Sequence, residues 1–205
     1  MSSGLLQTNS LHPPRAHRDT PNLFMSFLER FLPPRIEIIE ASHVRIPGKV
    51  LSERRTPVIL ARVNLEKGQI PVLFLVDTGA QMSLIMPQDH ERLGIVFDDK
   101  QATKSVGFYE EYIMRCMIQE LPLSFSGFTS DQEASRKKPL ISIRTVVNFY
   151  VPDPQQAADP HLSILGRDVL SLFNLTYDRD SVALETDGNP NPKLEIYRIR
   201  GRYFK

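Results

Sequence analysis

Apolar and polar residues begin to alternate at Arg35 and keep doing so, in short runs, almost to the end of the chain. Ile36 and Ile38, then Val44 and Ile46, stand at period-two spacing, and Pro47-Gly48 marks a turn. Two longer runs, 58–65 and 70–76, flank Glu66-Lys67-Gly68-Gln69, a pattern that predicts a β-hairpin around Gly68. Residues 112–125 predict a strand in which Pro122 marks an edge or a bend. The polar stretch 126–139 predicts a loop, β-branched 141–151 a strand, and 152–160 a connector. Two more strands are expected at 181–185 and 194–199. Short helices are expected at 87–94, ending on Gly94, and at 169–173, after Gly166. The sum is a mostly β chain with one or two short helices, without internal repeats.

The first 34 residues have a different texture. Residues 1–21 are rich in Ser, Pro, His and Arg, too poor in large apolar residues to repay their ordering entropy, and are expected to be disordered. Asn22 to Leu32 has the spacing of a short amphipathic helix, stopped by Pro33-Pro34. This divides the chain into an N-terminal arm, 1–34, and a single β domain, 35–205.

Charge and composition exclude several classes. A formal net charge of +1 over 205 residues, without a long block of one sign, argues against a coat for nucleic acid or anionic membrane. The one cysteine, Cys116, can form no intramolecular disulfide and has no Cys or His cluster beside it, so it reads as a small apolar filler. There is neither a membrane-length apolar stretch nor the charged start and apolar run of a secretion signal, and a cytoplasmic protein is expected. His90-Glu91 lacks the second histidine of a zinc-protease helix, since Gly94 stands there. No metal or cofactor is expected.

The informative stretch is Leu73-Phe74-Leu75-Val76-Asp77-Thr78-Gly79-Ala80-Gln81-Met82-Ser83-Leu84-Ile85. It sets a carboxylate where a buried strand stops, with Gly79 freeing the backbone to turn. An isolated buried carboxylate is costly, so an acid at the end of four large apolar residues asks for a reason. Taken alone, the stretch reads more simply as an Asp capping a turn, with Thr78 and Ser83 satisfying loop backbone. A second segment, His161-Leu162-Ser163-Ile164-Leu165-Gly166-Arg167-Asp168-Val169-Leu170, sets two apolar residues and a glycine before a charged pair.

Together the two segments resemble the retropepsin-like aspartic proteases, the retroviral-type family with cellular and bacterial relatives. Leu75-Val76-Asp77-Thr78-Gly79-Ala80 and Ile164-Leu165-Gly166-Arg167-Asp168 carry the resemblance, and Gln81-Met82-Ser83 is closer to the cellular and bacterial members. The resemblance spans about two-thirds of the chain, residues 55–185. It implies a small closed barrel of acid-protease type and an aspartic endopeptidase that hydrolyses peptide or protein substrates. It also implies that Asp77 is the catalytic acid, one half of a dyad. No second Asp-Thr-Gly or Asp-Ser-Gly occurs in the sequence, so the other half would come from Asp77 of a second copy in a homodimer.

The resemblance further implies that Thr78, Gly79, Ala80 and Gly166 support the active-site loop. Gly166 is expected where a second segment crosses close behind that loop. Gln81 and Leu84 are candidate substrate-binding residues, and Gly107, in Ser105–Tyr109, is the candidate tip of a flap over the cleft. Asp168 is expected to be structural, capping the helix that follows it. Two departures stand out: viral members carry an acid where this chain has Gln81, which leaves Arg167 without its usual partner, and the spacing between the motifs is longer. The alternative class is a non-catalytic β-sheet interaction domain that keeps the motif as scaffold.

Overall fold

A computed structural model describes residues 35–38, 43–52, 55–108, 112–129, 141–156, 161–189 and 191–200. The N-terminal arm, with its expected helix at 22–32, lies outside the described residues, as does the stretch 130–140. Arg35–Arg200 forms one compact unit. Its strands are β1 (Arg35–Ile38), β2 (Val44–Pro47), β3 (Lys49–Leu51), β4 (Thr56–Leu65), β5 (Gly68–Val76), β6 (Lys104–Phe108), β7 (Tyr112–Thr129), β8 (Ile141–Pro152), β9 (Ser163–Leu165), β10 (Asn174–Tyr177), β11 (Val182–Glu185) and β12 (Glu195–Arg200). Two short helices, α1 (Pro87–Leu93) and α2 (Arg167–Leu170), complete the mostly β architecture. No helix among the described residues is long and apolar enough to cross a membrane.

The β4–β5 hairpin follows from its sequence. Leu65 pairs with Gly68, whose φ of +129° is a conformation that side-chain-bearing residues avoid, so the turn falls on the glycine. Along β5 the alternation is complete: Val72, Phe74 and Val76 are buried, while Leu73 is exposed. Helix α1 starts on Pro87 at its first position and stops on Gly94, which is left-handed at φ 66° and donates its N–H to the Glu91 and His90 carbonyls.

Strand β7 is the hub. One side pairs with β8 over twelve rungs, from Cys116↔Pro152 to Gly127↔Ile141. On its other side it pairs with β6 through Cys116, with β4 from Leu123, and with β2 at Phe128 and Thr129. Pro122 falls in the unpaired gap between β6 and β4, the edge position its missing N–H requires. The main path runs β1-β12-β8-β7-β2-β11-β10, with β3 and β5 joined through β4, and β9 through β5. Among the described strands the ladder is branched, and the segment 83–85 bridges β8 to β9, so that β7, β8, this bridge, β9, β5 and β4 form one hydrogen-bonded circuit.

Three local expectations change. Residues 126–129 are strand, because β2 and β8 both pair with this end of β7 and override its polar texture. Gly127 is needed there, since a Cβ would lie 2.6 Å from Val44 Cγ1 and 2.9 Å from the Arg45 carbonyl oxygen. The second helix starts at Arg167, two residues earlier than expected. Strands β3, β9 and β10 are three or four residues long, too short to show periodicity.

Two apolar clusters share the interior. The large one is organised around Phe74, which stacks on Phe149 with ring centroids 5.8 Å apart, and Phe125, which meets Phe173 edge-on. The small one comprises Leu84, Met86, Met114, Cys116 and Ile164, with Leu75, Ala80 and Tyr150 against it. It adjoins the loop that carries Asp77.

Candidate active site

Asp77 is the first residue past β5, and two backbone ladders place it. Strand β9 runs parallel to β5 in the register Phe74↔Ser163, Leu75↔Ile164, Val76↔Leu165, and the Asp77 N–H continues that ladder to the Leu165 carbonyl at 3.1 Å. Leu84 then bridges back to Ile164 and Tyr150, so the chain from Asp77 to Leu84 is a loop pinned at both ends. Within it, Oδ1 of Asp77 accepts the N–H of Gly79 at 2.8 Å and of Ala80 at 3.3 Å. Asp77 is half-buried, while Thr78 and Gly79 are exposed, so the acid is held by its own loop on an open face. Among the described residues Oδ2 takes no hydrogen bond. A Cβ on Gly79 would approach Oδ1 to 3.1 Å, a tight but tolerable distance.

The second motif packs directly behind. Gly166 passes the backbone of Met82 so closely that a Cβ would lie 2.5 Å from its carbonyl carbon and oxygen. The start of α2 is tied to the same loop: Arg167 N–H donates to the Ala80 carbonyl at 2.9 Å and Asp168 N–H to the Gln81 carbonyl at 3.2 Å. The side chain of Gln81 is exposed, whereas Leu84 is buried in the small cluster. Arg167 is exposed and has no ion-pair partner among the described residues, in keeping with the missing acid at position 81.

Asp168 does more than the expected helix cap. The N-cap position of α2 is Gly166, and the Asp168 carboxylate bridges elements instead. Its Oδ2 accepts Ser83 N–H at 3.1 Å; its Oδ1 accepts the Ser83 hydroxyl at 2.7 Å and Val169 N–H at 3.0 Å. The fully buried Ser83 Oγ also accepts Gly166 N–H at 3.0 Å, so one hydroxyl joins the two motifs. Ser83 sits inside the informative stretch but looks like any loop serine, and only its 3D partner 85 residues away shows its role.

A second buried polar knot escaped the sequence. Ser163 Oγ donates to Asp89 Oδ2 at 2.7 Å and accepts Met86 N–H at 3.0 Å. Arg92 clamps this knot to β5, with one nitrogen 2.6 Å from Asp89 Oδ1 and another 2.6 Å from the Pro71 carbonyl. Beside it, the buried His90 donates Nε2–H to the Ile85 carbonyl at 3.0 Å, and desolvation holds its pKa below the ordinary value. Burial pushes the Cys116 thiol up to about 11, the behaviour of a packing residue and not of a nucleophile.

Gly107 lies within β6, opposite Ile113, and residues 109–111, between β6 and β7, lie outside the described residues. Gly107 is therefore a paired strand residue and not a hairpin tip, and an edge strand tolerates its missing side chain. A cavity of about 930 Å³ touches Met82 and Asp168 from behind but does not include Asp77. Among the described residues no cluster of three His, Cys, Asp or Glu could hold a metal.

One family comparison agrees with the resemblance. The aspartyl protease family model matches residues 61–133, the stretch from β4 through β7 that contains Asp77-Thr78-Gly79. No curated protein matches the sequence. Among solved structures, the chain is similar to a retropepsin-like aspartic protease from Rickettsia conorii, at 19% identity and a TM-score of 0.43, covering 76% of this chain and 95% of that one. It is also similar to the EIAV protease complexed with the inhibitor HBY-793, at 18% identity and a TM-score of 0.35, over 59% of this chain and 90% of that one.

Proposed function

We propose that the protein is an aspartic endopeptidase whose active site is completed when two copies bring their Asp77 residues together. The observation that carries this reading is the geometry of Asp77. One carboxylate oxygen is fixed by two N–H groups of its own loop, the other accepts no hydrogen bond among the described residues, and the neighbouring Thr78 and Gly79 are exposed. An acid held so firmly on an open face is a half-site waiting for its complement. Two such carboxylates about 3 Å apart cannot both ionise and would share one proton. The ionised member would activate a water; the protonated one would donate to the scissile carbonyl, and the roles would reverse as the amine leaves. The dyad's two pKa values belong to the pair.

In this reading Thr78 stiffens the dyad across the two-fold axis, the Gly79 carbonyl meets substrate backbone, and Ala80 and Gly166 hold the loop. Gln81 borders the cleft, Leu84 acts from beneath through packing, and the β6–β7 hairpin that contains Gly107 covers the substrate. The single buried cysteine fits a reducing, cytoplasmic setting.

The test is a mixing experiment. Asp77→Asn should fold and lose several orders of magnitude in peptide turnover, and excess Asp77→Asn chains should poison wild type through hybrid dimers. Specific activity should fall on dilution below the dimer dissociation constant. Full activity of Asp77→Asn would refute the site. Dilution-independent activity from a sedimentation-verified monomer would refute the shared dyad, and a stable, inactive wild type would favour the interaction-domain reading.

A further inference from the structure

Strand alternation puts Leu73, Leu75 and Asp77 on one face of β5, opposite the buried Val72, Phe74 and Val76. The circuit of β4, β5, β9, the 83–85 bridge, β8 and β7 encloses the large cluster, so the face with Asp77 is its outer wall. The small cluster lies on that same wall: Ile164 is in register with Leu75, Leu84 bridges to Ile164, and Leu75 packs against both. An apolar floor therefore begins immediately beside the acid.

The outward side chains of the β4–β5 hairpin change character along its length. At the turn end the cross-strand pairs are Asn64–Gln69 and Arg62–Pro71; toward Asp77 they are Leu60–Leu73 and Val58–Leu75. An outer face that meets only water carries polar residues, and the two pairs toward Asp77 invert that pattern. Val58 is covered at 2% exposure, whereas Leu60 is 50% and Leu73 37% exposed. As direct partners, the two leucines form one apolar surface. That surface continues the floor beside the acid: at about 3.3 Å per residue, Leu73 lies about 7 Å along the strand from Leu75 and about 13 Å from Asp77.

An extended peptide rises by the same amount per residue as β5, so a chain whose scissile bond lies at Asp77 reaches the distance of Leu73 about four residues away. Continuity with the wall that carries Asp77 makes that peptide the occupant of the leucine pair, and the pair itself makes the matching side chain large and apolar.

We propose, resting on the protease reading, that Leu60 and Leu73 form a distal subsite that takes a large apolar side chain of the substrate about four residues from the scissile bond. A carboxylate dyad by itself selects no residue at that distance. In a homodimer each copy contributes one such subsite, one on either side of the bond. The probe is a peptide library digested by the full chain, with the cut positions read by mass spectrometry. Wild type should enrich Leu, Ile, Met and Phe at about three to five residues from the cut. One cleaved peptide is then resynthesised with Leu or with Ser at the enriched position, and wild type should favour the Leu peptide by about 10-fold in kcat/KM, chiefly through KM. Leu60→Ser/Leu73→Ser, which alters two exposed positions, should abolish that difference, and Leu60→Ile/Leu73→Ile should restore it. Cleavage without a preference at that distance, or a Leu/Ser ratio unchanged in the folded Ser variant, would overturn the subsite and leave the Asp77 reading standing. A Ser variant that sediments as a monomer where wild type is a dimer would give the leucines to the contact between copies and also overturn the subsite. A folded, dimeric wild type that cleaves nothing would overturn both.

Discussion

Gly166→Ala tests whether the contact behind the Asp77 loop is as tight as its geometry implies. The added methyl would sit 2.5 Å from both the carbonyl carbon and the oxygen of Met82, and 3.0 Å from its nitrogen. Ordinary carbon contacts are about 3.5–4.0 Å, so one segment must move by about 1 Å. Neither is free to do so. Gly166 N–H is bound to Ser83 Oγ, and the N–H groups of Arg167 and Asp168 are bound to Ala80 and Gln81, at 2.9–3.2 Å. Overpacking typically costs about 1–3 kcal/mol, and each stretched hydrogen bond adds about 0.5–1.5 kcal/mol, which together predict a loss of about 3 kcal/mol. The same displacement at Asp77 should lower turnover by about 10²-fold per folded molecule. Urea unfolding gives the first quantity, and cleavage of a peptide library normalised to folded protein gives the second. Gly127→Ala is the control: it clashes with Val44 and Arg45 far along β7, so stability should fall while turnover per folded molecule is kept. A Gly166→Ala protein within about 0.5 kcal/mol of wild type and fully active would refute the argument.

Ser83→Ala removes the hydroxyl shared by Gly166 N–H and Asp168 Oδ1, leaving a buried donor unpaired; calorimetry should show a loss of about 2–4 kcal/mol. Asp168→Asn turns an amide donor toward Ser83 or Val169, whose groups donate to both carboxylate oxygens. It should cost about 1–3 kcal/mol yet retain turnover per folded molecule; a folded but inactive Asp168→Asn would place Asp168 in the chemistry. His90 titrates below its ordinary 6.5 in the folded state, so the unfolded chain binds more protons there. Its neutral form contributes stability above about 6.5 that is lost as pH falls through that value toward the lower folded pKa. Melting temperatures measured downward from neutral pH should show this decline in wild type and a flatter curve in His90→Gln.

The sequence alone fixes what depends on neighbours along the chain. The β4–β5 hairpin was legible because Gly68 supplies the positive φ between two alternating runs, and α1 because Pro87 and Gly94 bracket it. Asp77 was legible as a candidate because an acid after four apolar residues and before Thr-Gly is a local anomaly. The longer-range consequences were not. Residues 126–129 look like loop until β2 and β8 supply hydrogen-bond partners, and β9 is three residues whose strand character comes from β5. Asp168 reads locally as a cap, but Ser83 makes it a tether across 85 residues. Ser163, Asp89 and Arg92 are unremarkable until folding buries the first two, after which each polar atom must find a partner wherever the chain provides one. Periodicity and turn chemistry are written in adjacent residues, whereas the pairing of buried polar groups is decided only when distant segments desolvate one another.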